Sequence, residues 1–433
     1  MLIVNGQLSQ DYGTGIYLTY LFSSWPGEKV ATVSRSAYPY DSKLCSSHFC
    51  ICSVAPPAKR LLARSHNTYP NDSSKKSFIS LFILIKPLFS KFFSKIKQIL
   101  RYFFGFSKFY KRTVLSDDLL AWISEFKPEI IYGGISDLST LRFLRKIQQH
   151  TKLPLVLHIM DDWSSTLYNK GVAKYTIRPR YLHEYEHMMR HADVLVAICK
   201  SMADEFSIRY QRDVIYFPMP TSLVEYKDIH RTQWSSSKPF IVRYGGRVGW
   251  SIRESLTDIA RVINKLQSNG YHIEFEIATN QTDMIPTACS EFDCVRIVRL
   301  APLSELPLLN SLCDIHLICY DFDDLSITQA RYSMPSKLPS CMASGNPILV
   351  YGPPCLPVVE YVQRENLGST VYTRDDKMIE TEMIKLLDSC SLREFYGTKA
   401  RAIAFERHDA TIVSNSLSKV IASINQAPVA YSN

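Results

Sequence analysis

The sequence predicts an α/β protein made of two doubly wound domains, each built on a parallel sheet. Three observations predict it. Short apolar runs alternate with segments of helical spacing along most of the chain. The runs are apolar throughout rather than at every second residue, as strands covered on both faces are. The series ends in a polar stretch, residues 221–238, containing Ser235, Ser236 and Ser237, and then restarts. Strand–helix–strand order gives parallel pairing, so two series give two sheets.

The first series has strands expected at Leu2–Asn5, Val30–Ser34, Phe49–Val54, Glu129–Tyr132, Leu155–Ile159, Val194–Ile198 and Val214–Phe217. Helices are expected between them at Thr14–Phe22, Asp117–Phe126, Leu138–His150, Pro179–His191 and Lys200–Tyr210. The second series has strands at Phe240–Tyr244, Ile273–Ala278, Val295–Val298, Ile315–Tyr320, Ile348–Tyr351 and Thr370–Tyr372. Its helices fall near Arg253–Ser268, Ser304–Ser311, Ser336–Ala343, Leu356–Arg364 and Met378–Leu387. The expected division is 1–222, 223–410 and a terminal helix and tail over 411–433 that crosses back to the first domain. Ligands of such sheets bind beyond the carboxyl ends of the strands, here in a cleft between the domains.

A chain of 433 residues supplies material for two real cores. A content of 46% hydrophobic and 21% charged residues excludes intrinsic disorder. Eleven scattered cysteines, an odd number, fit a reducing cytoplasm better than a secreted disulfide framework. The start, Met1-Leu2-Ile3-Val4-Asn5-Gly6, has no basic region and reads as a first strand rather than a signal peptide.

The net charge of +9 is local. Ten basic residues and no acidic one lie between Ser73 and Ser116. After Pro87 the spacing is helical, with Phe89, Phe92, Phe93 and Phe103 on one face and Lys91, Lys95, Lys97 and Arg101 on the other. Lysines interrupt the apolar stretch well short of the roughly 20 residues of a membrane span. Aromatic rings opposite lysines suit a helix lying in an anionic membrane surface, with Phe89, Lys91, Phe92, Phe93, Lys95 and Phe103 as the contacts. The alternative is a helical insertion packed on its own domain with the lysine stems covering apolar surface. Nucleic acid is disfavoured, because rings and lysines occupy opposite faces.

Three stretches are candidates for binding phosphate. Gly13-Thr14-Gly15 opens the first helix, but Leu18 stands where a dinucleotide fingerprint has its third glycine; a plain tight turn is the alternative. Residues 240–253 run from a buried strand into Gly245-Gly246-Arg247 and on to Arg253 at a helix start. Two guanidiniums six residues apart can clamp a diphosphate. Pro335-Ser336-Lys337-Leu338 begins a helix, and Gly345 fits its C-terminal cap.

In this order the last two stretches resemble the donor half of GT-B glycosyltransferases of the family-four-like kind. Gly246-Arg247 is similar to that family's G-R after the first strand of its second domain. Arg253 falls where the family usually has a lysine. Pro335–Leu338 with Ala343–Pro347 is similar to its P-S-K-L…A-S-G-x-P segment. Gly13-Thr14-Gly15 resembles its mobile glycine loop, and Leu155–Trp163, containing His158, Asp161 and Asp162, its strand ending in H-D. The resemblance covers roughly residues 1–35 and 115–425.

It implies two Rossmann-like domains and retaining sugar transfer from a UDP- or GDP-linked donor, without a metal or other cofactor. Gly246, Arg247, Arg253, Ser336 and Lys337 would hold the donor diphosphate and stabilise its developing charge. His158, Asp161 or Asp162 would position or deprotonate the acceptor hydroxyl; helix capping is the structural alternative for the aspartates. The implied partners are a nucleotide sugar, a lipid-linked or surface-glycan acceptor and the inner face of the cell membrane.

Two departures stand out. The acidic pair of many members falls at Tyr332 and Ser340, so the ribose position Ser340 has lost its carboxylate. Met160 replaces the histidine of H-D, with His158 on the same strand face. A catalytically silent scaffold and a nucleotide-sugar epimerase of the same fold are therefore the alternative functions. Asp321, Asp323 and Asp324 imitate a D-x-D metal motif, and Cys45, His48, Cys50 and Cys52 a zinc site; structural roles are the expectation for both sets.

Overall fold

The computed structural model describes residues 1–6, 8, 13–34, 44–51, 115–235 and 239–426. Phe89, Lys91, Phe92, Phe93, Lys95 and Phe103 lie outside the described residues, as does Cys52. Among the described residues no helix is long and apolar enough to cross a membrane.

Two parallel sheets form the frame. The first joins β1 (Leu2–Val4), β2 (Ala31–Ser34), β3 (Ser47–Cys50), β4 (Ile131–Gly134), β5 (Leu155–Ile159), β6 (Val194–Ala197) and β7 (Val214–Tyr216), in the order β3-β2-β1-β4-β5-β6-β7. The second joins β8 (Phe240–Gly245), β9 (Ile273–Ala278), β10 (Val295–Val298), β11 (Ile315–Cys319), β12 (Ile348–Tyr351) and β13 (Gly368–Val371), in the order β10-β9-β8-β11-β12-β13. Each order reverses once, between β1 and β4 and between β8 and β11. Loops leaving such a reversal diverge and open a crevice for a ligand.

The second sheet shows why continuous apolar runs were expected. Leu317, Cys319, Leu349 and Tyr351 enter one buried cluster with Ile259, Ile263 and Met383. Ile318, Ile348 and Val350 enter another with Leu338, Met342, Val359 and Ala400. Successive residues of one strand thus feed opposite cores, and helices cover both faces.

The chain divides into two compact units: Met1–Gln7, Glu28–Leu157 and Trp163–Asp193 make the first, and Leu8–Gly27, His158–Asp162 and Val194–Asn433 the second. In the second unit the helix Ala410–Gln426 packs on the helix Gly13–Leu21, and the Ser24 amide donates to Ser414 Oγ at 3.1 Å.

The elements differ from expectation in a few places. The third strand is Ser47–Cys50, so it begins two residues before the expected Phe49; residues 52–54 of the expected span lie outside the described residues. The helix Asp324–Ala330 was not expected; it is short, and Asp323 starts it by accepting from the amides of Leu325 and Ser326. The helix Cys390–Arg407 also escaped the periodicity. It buries Arg393 and Gly397 together with Ala400, Ile403 and Ala404, which blurs its apolar stripe.

Candidate functional site

Gly246, Arg247, Ser336, Lys337 and Ser340 line cavities of the second unit, whereas Arg253, His158, Asp161 and Asp162 do not line them. Strand β8 ends at Gly245, and Gly246 follows with φ of 140°, in the region that favours glycine. A Cβ on Gly246 would lie 3.7 Å from Lys337 Nζ. Tyr244 stiffens the turn by donating its hydroxyl to the Arg247 carbonyl at 2.6 Å. Arg247 and Arg253 are both exposed, and Arg253 begins the helix Arg253–Ser268 after a single 3-10 turn.

Pro335-Ser336-Lys337 leads into the helix Leu338–Ala343, and Gly345 closes it with φ of 81°, as expected of a cap. Ser336 is exposed and Ser340 half-buried, its hydroxyl donating to the Lys337 carbonyl at 2.8 Å. Lys337 is half-buried, and its Nζ stands 3.6 Å from the centre of the Tyr244 ring. Burial lowers its pKa to about 8. Among the described residues no carboxylate pairs with it.

Gly245, Gly246, Ser336 and Lys337 line two cavities at once. The first, about 430 Å³, continues past Ser340, His316 and Arg243 to Leu300 and Leu303, and is walled by Tyr17, Tyr20 and Met219–Ser222. The second, about 340 Å³, continues past Arg247, Trp250, Tyr320 and Gln329. The reversal between β8 and β11 thus carries two chambers that share Gly245, Gly246, Ser336 and Lys337 as a common edge, a neck with the Lys337 cation in it. Thr14 is exposed and Gly15 buried in the first turn of the helix Gly13–Leu21, whose later residues Ile16, Tyr17 and Tyr20 form the wall.

His158 lies behind that wall. It is fully buried, and its Nε2 is 3.2 Å from the Tyr17 hydroxyl. Burial lowers its pKa to about 3, so the imidazole is neutral. Asp161 is half-buried and accepts from the Ser333 hydroxyl at 2.9 Å. Burial raises its pKa to about 6, against the Ser333 bond and helped by Asp162. Asp162 is buried and accepts two bonds from Arg209 Nη1, at 3.1 and 3.0 Å. Asp162 is therefore spent on an ion pair, whereas Asp161 keeps a neutral partner and a pKa suited to proton transfer.

Of the residues in the two metal-like sets, Asp321, Asp323, His48 and Cys45 make structural contacts. Asp321 caps the helix Arg253–Ser268 by accepting from the Ser255 and Glu254 amides, at 2.7 and 3.3 Å. His48 Nδ1 lies 2.7 Å from Thr32 Oγ1, and Cys45 Sγ donates to the Ser47 carbonyl. Among the described residues no group of three or more His, Cys, Asp or Glu is arranged to hold a metal.

Arg243, Asn310, His316 and the wall residues were missed. The signal was present for two of them: a charged residue in Phe240-Ile241-Val242-Arg243-Tyr244 and a histidine in Ile315-His316-Leu317 interrupt otherwise apolar strands. The wall at Met219–Ser222 carries no such mark.

Solved structures show the same arrangement of sheets and helices. The chain is similar to sucrose-phosphate synthase from Thermosynechococcus elongatus over 99% of both chains, with TM-score 0.60 and 12% identity. A glycosyltransferase from Rickettsia africae gives TM-score 0.60 and 10% identity, also over 99% of both chains. The chain has the GT-B fold. Anabaena HepE, solved in complex with UDP and glucose, matches 98% of this chain over 99% of its own, with TM-score 0.57 and 11% identity. A putative UDP-N-acetylglucosamine 2-epimerase from Listeria monocytogenes matches with TM-score 0.53 and 9% identity, over 99% of this chain and 97% of its own. No family model matches the chain, and no curated protein matches it. At these identities the likeness establishes the GT-B architecture, and residue roles rest on the site itself.

Proposed function

We propose that the protein is a glycosyltransferase that moves a sugar from a nucleotide sugar to an acceptor hydroxyl. Lys337 carries this reading: a half-buried cation without a carboxylate partner among the described residues, at the neck of two chambers. An unpaired cation in such a place is costly unless an anion joins it. A nucleoside diphosphate sugar fits. The nucleoside would fill the larger chamber, the diphosphate would meet Gly246, Ser336, Lys337 and the forks of Arg247 and Arg253, and the sugar would enter the smaller one. HepE was solved with UDP and with UDP-glucose, which supports this class of donor.

In the reaction the bond from the sugar C1 to the diphosphate oxygen breaks, and the nucleoside diphosphate leaves with that electron pair. The acceptor oxygen bonds to C1 with retention, and its proton passes to Asp161 or to the leaving diphosphate. The cations at the neck supply the charge stabilisation. The acceptor proposed is a lipid-linked or surface-polysaccharide precursor at the inner face of the cell membrane. The cationic aromatic stretch containing Phe92 and Lys95 supports that choice.

Thermal stability with UDP and GDP tests the donor site, on the wild type and on Arg247→Ala/Arg253→Ala. Ligand at 100 times its Kd adds about 2.7 kcal/mol. A shift lost in the double variant is expected; no shift with any nucleotide overturns the reading.

Tyr332 motivates the second reading, an epimerase or silent scaffold. Its ring lies 5.9 Å from the Arg209 guanidinium and 5.6 Å from that of Arg331, where the family-like acid would stand. Nucleotide binding without acceptor-dependent release of nucleoside diphosphate would favour it.

A further inference from the structure

The wall Met219–Ser222 of the larger chamber is tied to the far end of the chain. The Thr221 amide donates to the His408 carbonyl at 2.9 Å, and the Ala410 amide donates to the Thr221 carbonyl at 3.0 Å. The pair Thr221 and Asp409 forms an isolated parallel bridge. His408, almost fully buried, adds a side-chain tie: Nδ1 lies 2.8 Å from the Met219 carbonyl, and Nε2 lies 2.8 Å from the Tyr361 hydroxyl. A carbonyl only accepts, so Nδ1 carries the proton, and Nε2 accepts from Tyr361. Burial holds the ring below its ordinary pKa; the Met219 bond opposes that shift and Arg407 adds to it.

The same end of the chain holds a second wall. Helix Ala410–Gln426 starts two residues after His408 and packs on the helix Gly13–Leu21, which carries Tyr17 and Tyr20. One junction, His408–Ala410, therefore spaces two walls that come from distant parts of the sequence.

We propose that His408 is a positioning residue for the donor chamber, oriented by Tyr361 and acting through the Met219 carbonyl on the wall Met219–Ser222. The name donor chamber rests on the function proposed above; the tie itself does not. His408 lines neither chamber. It replaces the freedom of an irregular segment with a fixed carbonyl, and a ligand then binds without ordering that segment.

Three substitutions separate its parts. His408→Asn keeps an N–H near the place of Nδ1. His408→Gln reaches toward Tyr361 instead. His408→Ala removes both bonds. Hydrogen exchange of the 219–223 backbone is read first on the full chain, well below each variant's melting temperature, with the amides of β11 as internal control. Exchange at 219–223 should accelerate about tenfold in His408→Ala and His408→Gln, the loss of one neutral hydrogen bond, and return near wild type in His408→Asn. UDP and GDP titrations should show the same order, about tenfold weaker for Ala and Gln and within about threefold of wild type for Asn. Unchanged exchange at 219–223 in His408→Ala overturns the tie. So does an equal rise at β11, which would mark general destabilisation. If the wild type binds no nucleotide while exchange follows the expected order, the donor reading fails and the tie stands. If exchange follows that order but every variant binds nucleotide as the wild type does, the tie does not position the chamber.

Discussion

The Tyr17 hydroxyl and His158 Nε2 meet at 3.2 Å behind the chamber wall, both residues buried. A histidine enclosed this way stays neutral until about pH 3, so it does not titrate where an enzyme is assayed. The acidic limb of the pH–rate profile should therefore belong to Asp161, near pH 6. His158→Gln should leave the midpoint of that limb in place, whereas Asp161→Asn should abolish it. Both profiles come from kcat/KM between pH 4.5 and 8.5. A limb that disappears with His158→Gln would make the histidine the base.

Asp161 also makes a stability prediction, and its sign is opposite to that of an ion-paired carboxylate. Its folded pKa, about 6, lies above the ordinary 3.8, so the folded state holds the proton more tightly. The stability contribution is present below the unfolded pKa and is lost as pH rises through 6. Above that, an ionised, half-buried carboxylate remains as a cost. Asp161→Asn should raise the stability at pH 7.5 by an amount on the order of 1 kcal/mol, read as a higher melting temperature, and the gain should vanish near pH 4. A variant less stable than wild type at pH 7.5 would show that the Ser333 bond outweighs burial.

Much of this was legible in the sequence because it follows from local pattern. Strands β9, β10 and β12 lie where their apolar runs stand, and Gly345 takes the positive φ that a helix cap needs. The neck was legible because Gly246 and Lys337 sit in stretches with their own signature. The wall was not. Met219 and Tyr17 are ordinary residues whose role comes only from being brought together from distant parts of the sequence. Asp162 was misleading for the same reason: nothing near it in sequence announces Arg209, and that partner turns a candidate acid into half of an ion pair.

Lys337 should make donor binding pH-dependent on the alkaline side. With a pKa near 8 it loses its charge as pH rises past that value, and the attraction for a diphosphate goes with it. UDP or GDP, whichever binds, should bind several-fold more weakly at pH 9.5 than at pH 7. In Lys337→Met the affinity should be low at both values, by about tenfold at pH 7, and the alkaline dependence should flatten. Calorimetric titration at the two pH values decides it. An alkaline dependence that survives in Lys337→Met would assign the titration to another group.

Arg243 lines both the larger chamber and a neighbouring open cavity of about 1160 Å³ that runs past Glu276, Arg296 and Leu309, and cross-strand register keeps it there. It stands directly opposite Glu276 on β9, which in turn stands opposite Arg296 on β10. Arg243 Nε and Arg296 Nη2 both donate to that carboxylate, and Arg243 Nη1 donates to the Leu309 carbonyl. Removing the acid alone strands a buried guanidinium. Glu276→Ala should therefore cost about 3–5 kcal/mol, the range for breaking a buried pair on one side. Arg296 is exposed and can turn to solvent, so Arg296→Ala should cost no more than about 1 kcal/mol. The double change Arg243→Met/Glu276→Leu should recover most of the loss, because apolar residues of similar volume replace both charges. Chemical denaturation of the three variants measures this order. If the double variant recovers stability but loses nucleotide affinity, the guanidinium serves the chamber as well as the sheet. If it keeps both, the ladder is a packing device and the neck alone holds the ligand's charge.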